Sequence, residues 1–176
     1  TDHYLCPLLI STRKSMQSKL LLSLFLFTLL NTITAQINPK NIQIVRDQWG
    51  VPHIYAKTDA EVAYGLGWAS AEDDFKTIQH QLLGVRGLAG EVLGKNGAIL
   101  DVAIHILEAK QVVEEKYEGD VSEQFKQYLA AYASGVNAYA AKFPKEILHK
   151  KLFPVSGKDV IVGYVLGMAL MSGVDT

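Results

Sequence analysis

The sequence predicts an α+β chain, strands first and helices after, on three observations. Ile42, Ile44 and Val45 are interleaved with polar residues ahead of Arg46-Asp47, the pattern of a half-buried strand. Gly50 and Pro52 then break the run, so Trp49 to Pro52 reads as a reversal and His53 to Ala56 as a second strand. Downstream, apolar residues recur at helical spacing in four stretches separated by Gly and Pro.

Ahead of the strands lies a targeting segment. Met16 and Lys19 precede the apolar run Leu20 to Leu30, and the polar stretch Asn31 to Gln36 contains Ala35. A basic start, a short apolar run and a small residue at a polar boundary predict a secretory signal peptide over 16–35, cleaved after Ala35. Residues 1–15 read as an upstream extension, and 36–176 as the folded part. An apolar run this short falls below the roughly 17 to 25 residues of a spanning helix, so no stable membrane anchor is expected. Cys6, the only cysteine, precedes the predicted cut, which excludes disulfides and thiol chemistry from the mature part. Without Arg13, Lys14, Lys19 and Asp2 the remainder carries about three net negative charges, and nothing in it suggests nucleic acid.

Thr58-Asp59-Ala60-Glu61 has the form of a capping box and predicts a helix start. Val62, Leu66, Ala69 and Asp73 fall on one face of that helix, so Asp73 is expected to look inward and to need a partner, Arg46 or Arg86. Phe75, Ile78, Leu82 and Val85 continue the period until the glycines at 84, 87 and 90. The Gly-rich stretch to Gly97 is expected to be a loop; its pattern is neither a P-loop nor a dinucleotide fingerprint. Ile99, Val102, Ile106, Ala109 and Val113 mark a second amphipathic helix, and Glu114, Glu115, Glu118 and Asp120 near its end read as solvated surface, not a metal site. Asp120-Val121-Ser122-Glu123 opens a third helix with the stripe Phe125, Leu129, Tyr132, Val136 and Tyr139, stopped by Phe143-Pro144. A last helix is capped near Ser156 or Asp159, and its apolar run Val160 to Met171 predicts burial on most sides.

Several of these residues form a recognisable series. Arg46-Asp47, Gly50-Val51-Pro52-His53-Ile54, Tyr64-Gly65-Leu66-Gly67 and Ala69-x-Ala71-Glu72-Asp73 resemble the opening of the penicillin acylase (penicillin amidase) family. Gly87-Leu88-Ala89-Gly90-Glu91-Val92-Leu93-Gly94 and Tyr132-Ala133-Ser134-Gly135-Val136-Asn137-Ala138-Tyr139 follow in the family's order. The resemblance implies a largely helical α-chain part of an αββα N-terminal-nucleophile hydrolase sandwich. Its N-terminal strands would join a sheet completed by a β chain from the same precursor, since two strands make no stable sheet by themselves.

The resemblance also implies where the chemistry lies. The nucleophile would be a Ser made N-terminal on the β chain, its own α-amino group serving as base, and this segment would be inactive alone. The reaction implied is amide hydrolysis of a small N-acyl substrate through an acyl-enzyme, in the periplasm or outside the cell. Counting from Asp159-Val160, the family's acyl-pocket positions fall at Met168, Met171 and Ser172. A large aromatic at the last of these favours aryl-acetyl groups in relatives; Ser172 departs from that, which leaves a β-lactam side chain and an aliphatic acyl chain, as in acyl-homoserine lactones, both open. Calcium is implied for the complete enzyme, but its α-chain Glu would fall past Thr176, so no metal ligand is assigned. Asp74 and His105 replace family arginines, each removing an ion-pair partner expected for a neighbouring carboxylate. On the residues alone, no histidine has paired metal-ligand spacing, and His53 reads as a hydrogen-bonded structural residue. The rival reading is an exported helical binding module without catalysis.

Overall fold

A computed structural model describes residues 37–172; the predicted signal peptide, the upstream extension and the cut after Ala35 lie outside them. After a 3-10 turn at Pro39–Asn41 come β1 (Gln43–Arg46) and β2 (Pro52–Tyr55). They pair antiparallel with Ile44 opposite Ile54 and Arg46 opposite Pro52. The hairpin closes on Asp47, whose Oδ1 accepts from the Trp49 and Val51 N–H groups at 2.8 and 3.0 Å, and Gly50 turns the chain with φ +81°. A side chain there would be strained, which is why glycine ends the reversal. The strand pair and its turn match the sequence reading to within a residue.

Among the described residues six α-helices follow: α1 (Asp59–Arg86), α2 (Ala89–Leu93), α3 (Lys95–Ile106), α4 (Ala109–Asp120), α5 (Glu123–Lys142) and α6 (Gly157–Met171). Thr58 caps α1 as expected, accepting from Glu61 N–H at 3.2 Å. The return arm differs from a standard box: Glu61 Oε2 accepts from Lys57 N–H at 3.1 Å, and Oε1 from the Asn41 amide at 3.2 Å. Glu61 is therefore a buried carboxylate that ties the 3-10 turn to the first helix.

In the first half of α1 the inward face is not the one its large apolar residues mark. Val62 and Leu66 are exposed, whereas Gly65, Gly67, Ala69 and Ala71 are buried. These small residues let α1 and α5 touch backbone to backbone. A Cβ on Gly67 would stand 2.1 Å from Tyr132 O, and one on Gly135 2.1 Å from Tyr64 O. Asp73 is half exposed rather than inward, and of its two predicted partners Arg46 holds it, at 2.6 Å. At Asp74 the helix kinks (φ −153°, ψ 72°), and the Asp74 side chain caps the second half by accepting from Thr77 N–H at 3.0 Å. That is what an aspartate does at the position where the resemblance leads one to expect arginine.

The Gly-rich stretch is helical, contrary to the loop expected. Asp101 accepts from the Ala89 and Gly90 N–H groups at 3.0 and 2.8 Å, so a carboxylate on α3 caps α2 from outside. With backbone donors on both oxygens, Asp101 does not depend on the arginine that His105 replaces. The second amphipathic helix is in fact two, α3 and α4, broken where Glu108 takes φ +51°. Only the α4 part of its stripe is buried, through Ala109, Val113 and Tyr117, while Ile99, Val102 and Ile106 are 61%, 61% and 72% exposed. Among the acidic residues, Glu118 pairs with Lys126 and Glu114 with Lys158, as solvated ion pairs do.

Among the described residues the core has two clusters. One gathers Phe75, Leu83, Val136, Tyr139 and Leu152, with Trp68 and Phe75 edge-on to Tyr139 at 5.5 and 5.0 Å. The other joins α4, α5 and α6 through Val113, Tyr117, Leu129, Val162 and Leu166. The α5 stripe behaves as expected except for Phe125, which is exposed.

Candidate functional site

Helix α6 carries Met168 and Met171, two of the residues proposed from sequence for substrate, and ends just before the third, Ser172; local chemistry fixes its start. Ser156 Oγ accepts from Asp159 N–H at 3.2 Å while Asp159 Oδ2 accepts from Ser156 N–H at 2.8 Å, a complete capping box. Arg86, at the end of α1, anchors that cap. Its guanidinium reaches both Asp159 oxygens at 3.3 and 2.8 Å and donates to the carbonyls of Lys151 and Pro154 at 2.6 and 2.7 Å. Burial pushes the Asp159 carboxyl up, but Arg86 and Ser156 pull it further down, so it titrates below its ordinary value. From α5, the Asn137 side chain accepts from Val155 N–H at 2.7 Å and donates to Val155 O at 2.8 Å, holding the approach to α6 as a strand partner would.

Between α1, α5 and α6 this framework leaves an open apolar groove of about 370 Å³. Ile78 and Leu82 line it from α1, Tyr132 and Val136 from α5, and Met168 and Met171 from α6. Two of the three residues proposed for acyl binding therefore share a groove. Ser172 does not line it: its hydroxyl turns back to donate to Met168 O at 2.7 Å and Ala169 O at 3.1 Å. Helix α6 is not buried on most sides, since Tyr164 and Met168 are exposed and Met171 is 85% exposed. Sequence reasoning missed the far wall. The period Ile78, Leu82, Val85 marks the continuation of a helix, and nothing local marks it as one side of a cleft.

A second cavity, about 620 Å³, opens beyond the Arg86 end and is lined by polar side chains including Asp101, His105, Glu108 and Lys110. His53 stands away on β2, its Nε2 3.3 Å from Asp47 Oδ2, and serves the hairpin as expected of a structural histidine. The hydroxyls of Ser122 and Ser156 cap helices, and those of Ser134 and Ser172 donate to carbonyls one turn back. Among the described residues no serine is hydrogen-bonded to a histidine, and no three His, Cys, Asp or Glu side chains stand together to hold a metal ion. Among the same residues no helix is long and apolar enough to cross a membrane.

The fold and groove can be set beside known proteins. The sequence profile of the family described as Penicillin amidase matches residues 41–164. A penicillin acylase 2 proenzyme of a Pseudomonas species (strain SE83) is 32% identical over 100 residues, 57% of this chain and 13% of the relative. An acyl-homoserine lactone acylase of Pseudomonas putida (strain KT2440) is 26% identical over 104 residues, 59% of this chain and 13% of the relative. The chain thus spans a small fraction of the curated relatives it matches. A thermostable penicillin G acylase from Alcaligenes faecalis superposes with a TM-score of 0.64 at 24% identity, covering 77% of this chain and 75% of that chain, which establishes the likeness of fold.

Proposed function

The chain belongs to the penicillin amidase family, and from that premise we propose that it forms the acyl-binding wall of an exported amidohydrolase that cleaves small N-acyl substrates. The observation that carries the reading is the coincidence of Met168 and Met171, the family's acyl-pocket positions, with an apolar groove framed by α1, α5 and α6. Thioether side chains adapt to irregular apolar ligands, as an acyl pocket requires.

In this reading the segment holds the acyl group, and chemistry comes from residues outside it. A Ser at the start of a β chain cut from the same precursor attacks the amide carbonyl. Its α-amino group, with an ordinary pKa of about 8, takes the hydroxyl proton and passes it to the departing amine. Water then cleaves the acyl-enzyme to release the acid. The serine hydroxyls described above are committed to caps and helix carbonyls, which supports a nucleophile from elsewhere. Export through the segment 16–35 places the reaction in the periplasm or outside the cell. Calcium belongs to the complete enzyme in this scheme, with no ligand among these residues.

The test is to express the whole reading frame that encodes the chain in a periplasm and assay phenylacetyl and straight-chain acyl amides. Hydrolysis accompanied by a new N-terminal Ser is the expected result. Export without cleavage of any acyl amide would overturn the proposal and favour a binding module without catalysis.

A further inference from the structure

We infer that Arg86 is a positioning residue for acyl recognition, fixing the pitch and register of α6 and through them the placement of Met168 and Met171; this rests on the amide-hydrolase reading above. Among the described residues, the side-chain polar ties of α6 to other elements all lie at its start. Asp159 is held by Arg86 of α1, Lys158 pairs with Glu114 of α4, and Val155, just ahead of the helix, exchanges two hydrogen bonds with Asn137 of α5. Arg86 grips both sides of that start, the first turn through Asp159 and the approach through the carbonyls of Lys151 and Pro154. From Val160 to Met171 the sequence is apolar except for Tyr164, which is exposed.

Apolar packing holds the rest of α6 against its neighbours, but it is non-directional and fixes neither slide nor tilt by itself. Val162 and Leu166 are buried in the second core cluster, and Leu166 is the last buried side chain of α6 among the described residues. Steric interlocking with α1 is weak as well. Gly163 sets no side chain against Val85, where a Cβ would make only ordinary contact at 3.6 Å, and a Cβ on Gly167 would meet no heavy atom within 4 Å. A helix face without side chains at these positions offers no ridge to lock into the neighbouring groove. The helix is thus clamped at one end and carries its acyl-binding residues at the other. Met168 and Met171 stand about 14 and 18 Å from Asp159 along the axis, at 1.5 Å per residue. A tilt of about 5° about the clamp would carry Met171 by about 1.5 Å. A shift of about 1 Å in a positioned site is enough to cost about 100-fold. A planar guanidinium with donors in a fixed fork resists such a tilt, whereas a lysine ammonium is a point about which the helix can turn.

The experiment uses the enzyme from the whole reading frame, amide reporters carrying acetyl, phenylacetyl and octanoyl groups, and the variants Arg86→Ala, Arg86→Lys and Asp159→Asn. The quantity read is the ratio of kcat/KM for the larger acyl group the parent prefers to kcat/KM for acetyl, which is too small to depend on a wall at that distance. Both values come from one preparation, so the folded fraction cancels and a loss of stability alone leaves the ratio where it was. Arg86→Ala should lower the ratio by about tenfold or more, and Arg86→Lys should recover part of it. Asp159→Asn, which keeps an acceptor for the Ser156 N–H, should lower it in the same direction by less, and it carries the test should Arg86→Ala fail to fold. A folded Arg86→Ala with the parent's ratio, or an unchanged ratio in Asp159→Asn when that variant carries the test, overturns the inference while the amide-hydrolase reading stands. No cleavage of any reporter overturns both.

Discussion

Arg86 ties the end of α1 to three points of one distant stretch, Lys151, Pro154 and Asp159, and only a planar fork of donors can serve the Asp159 carboxylate and two carbonyls together. Removing it leaves a partly buried carboxylate and two carbonyls short of donors. Arg86→Ala is expected to cost about 2 kcal/mol in denaturant unfolding, below the full cost of breaking a buried pair because water screens this one. Arg86→Lys should recover only part of that loss. The same pair sets an acid limit. Asp159 has a folded pKa below its unfolded value of about 3.9, so its contribution is present above that pH and is lost as pH falls through the folded value. Stability measured against pH should therefore drop as pH is lowered below about 4. Asp159→Asn should flatten that part of the curve; an unchanged slope would mean the depressed group lies elsewhere. Glu61 acts in the same direction, lowered chiefly by the Asn41 amide against the opposing effect of burial.

Elements meet here on small residues as much as on large ones. Gly67 and Gly135 bring α1 and α5 together at a distance that admits no Cβ, and the atoms in the way are backbone carbonyls, which have no rotamer to yield. Gly135→Ala is expected to destabilise by about 3 kcal/mol and to lower the urea midpoint without changing the slope. A loss within the few tenths typical of exposed sites would show that the helices slide apart at little cost. This crossing also explains what could be read from sequence. The caps at Thr58, Ser122 and Ser156 and the turn at Gly50 were legible because a cap or turn is decided within three or four residues. The buried face of α1 was not legible: Val62 and Leu66 dominate a hydrophobic period, while glycine and alanine pack closely without contributing to it. Nor were α2 and α3, whose glycines suggested a loop, because the carboxylate that caps α2 comes from Asp101, more than two turns further on. Met168 and Met171 were found by position in a resembled family; the opposite wall of their groove exists only once α1 and α6 are docked.

At the scale of the molecule, the surfaces left uncovered are as informative as the core. Helix α3 shows Ile99, Val102 and Ile106 to solvent, three to four residues apart and so on one side of the helix. An apolar stripe of this kind is costly in water and favours association with another apolar surface. Because these side chains add little to the packing of α3, replacing all three by Gln should leave the melting temperature of the chain nearly unchanged. What should change is association: light scattering of the parent chain is expected to rise with concentration, and the triple variant should suppress that rise. An early-melting variant would mean that the stripe is packed in solution and that α3 lies differently from the arrangement described. Unaltered association with intact melting would instead assign the sticky surface to other large exposed apolar residues, of which Trp49 on the hairpin and Tyr164 and Met171 on α6 show the most surface.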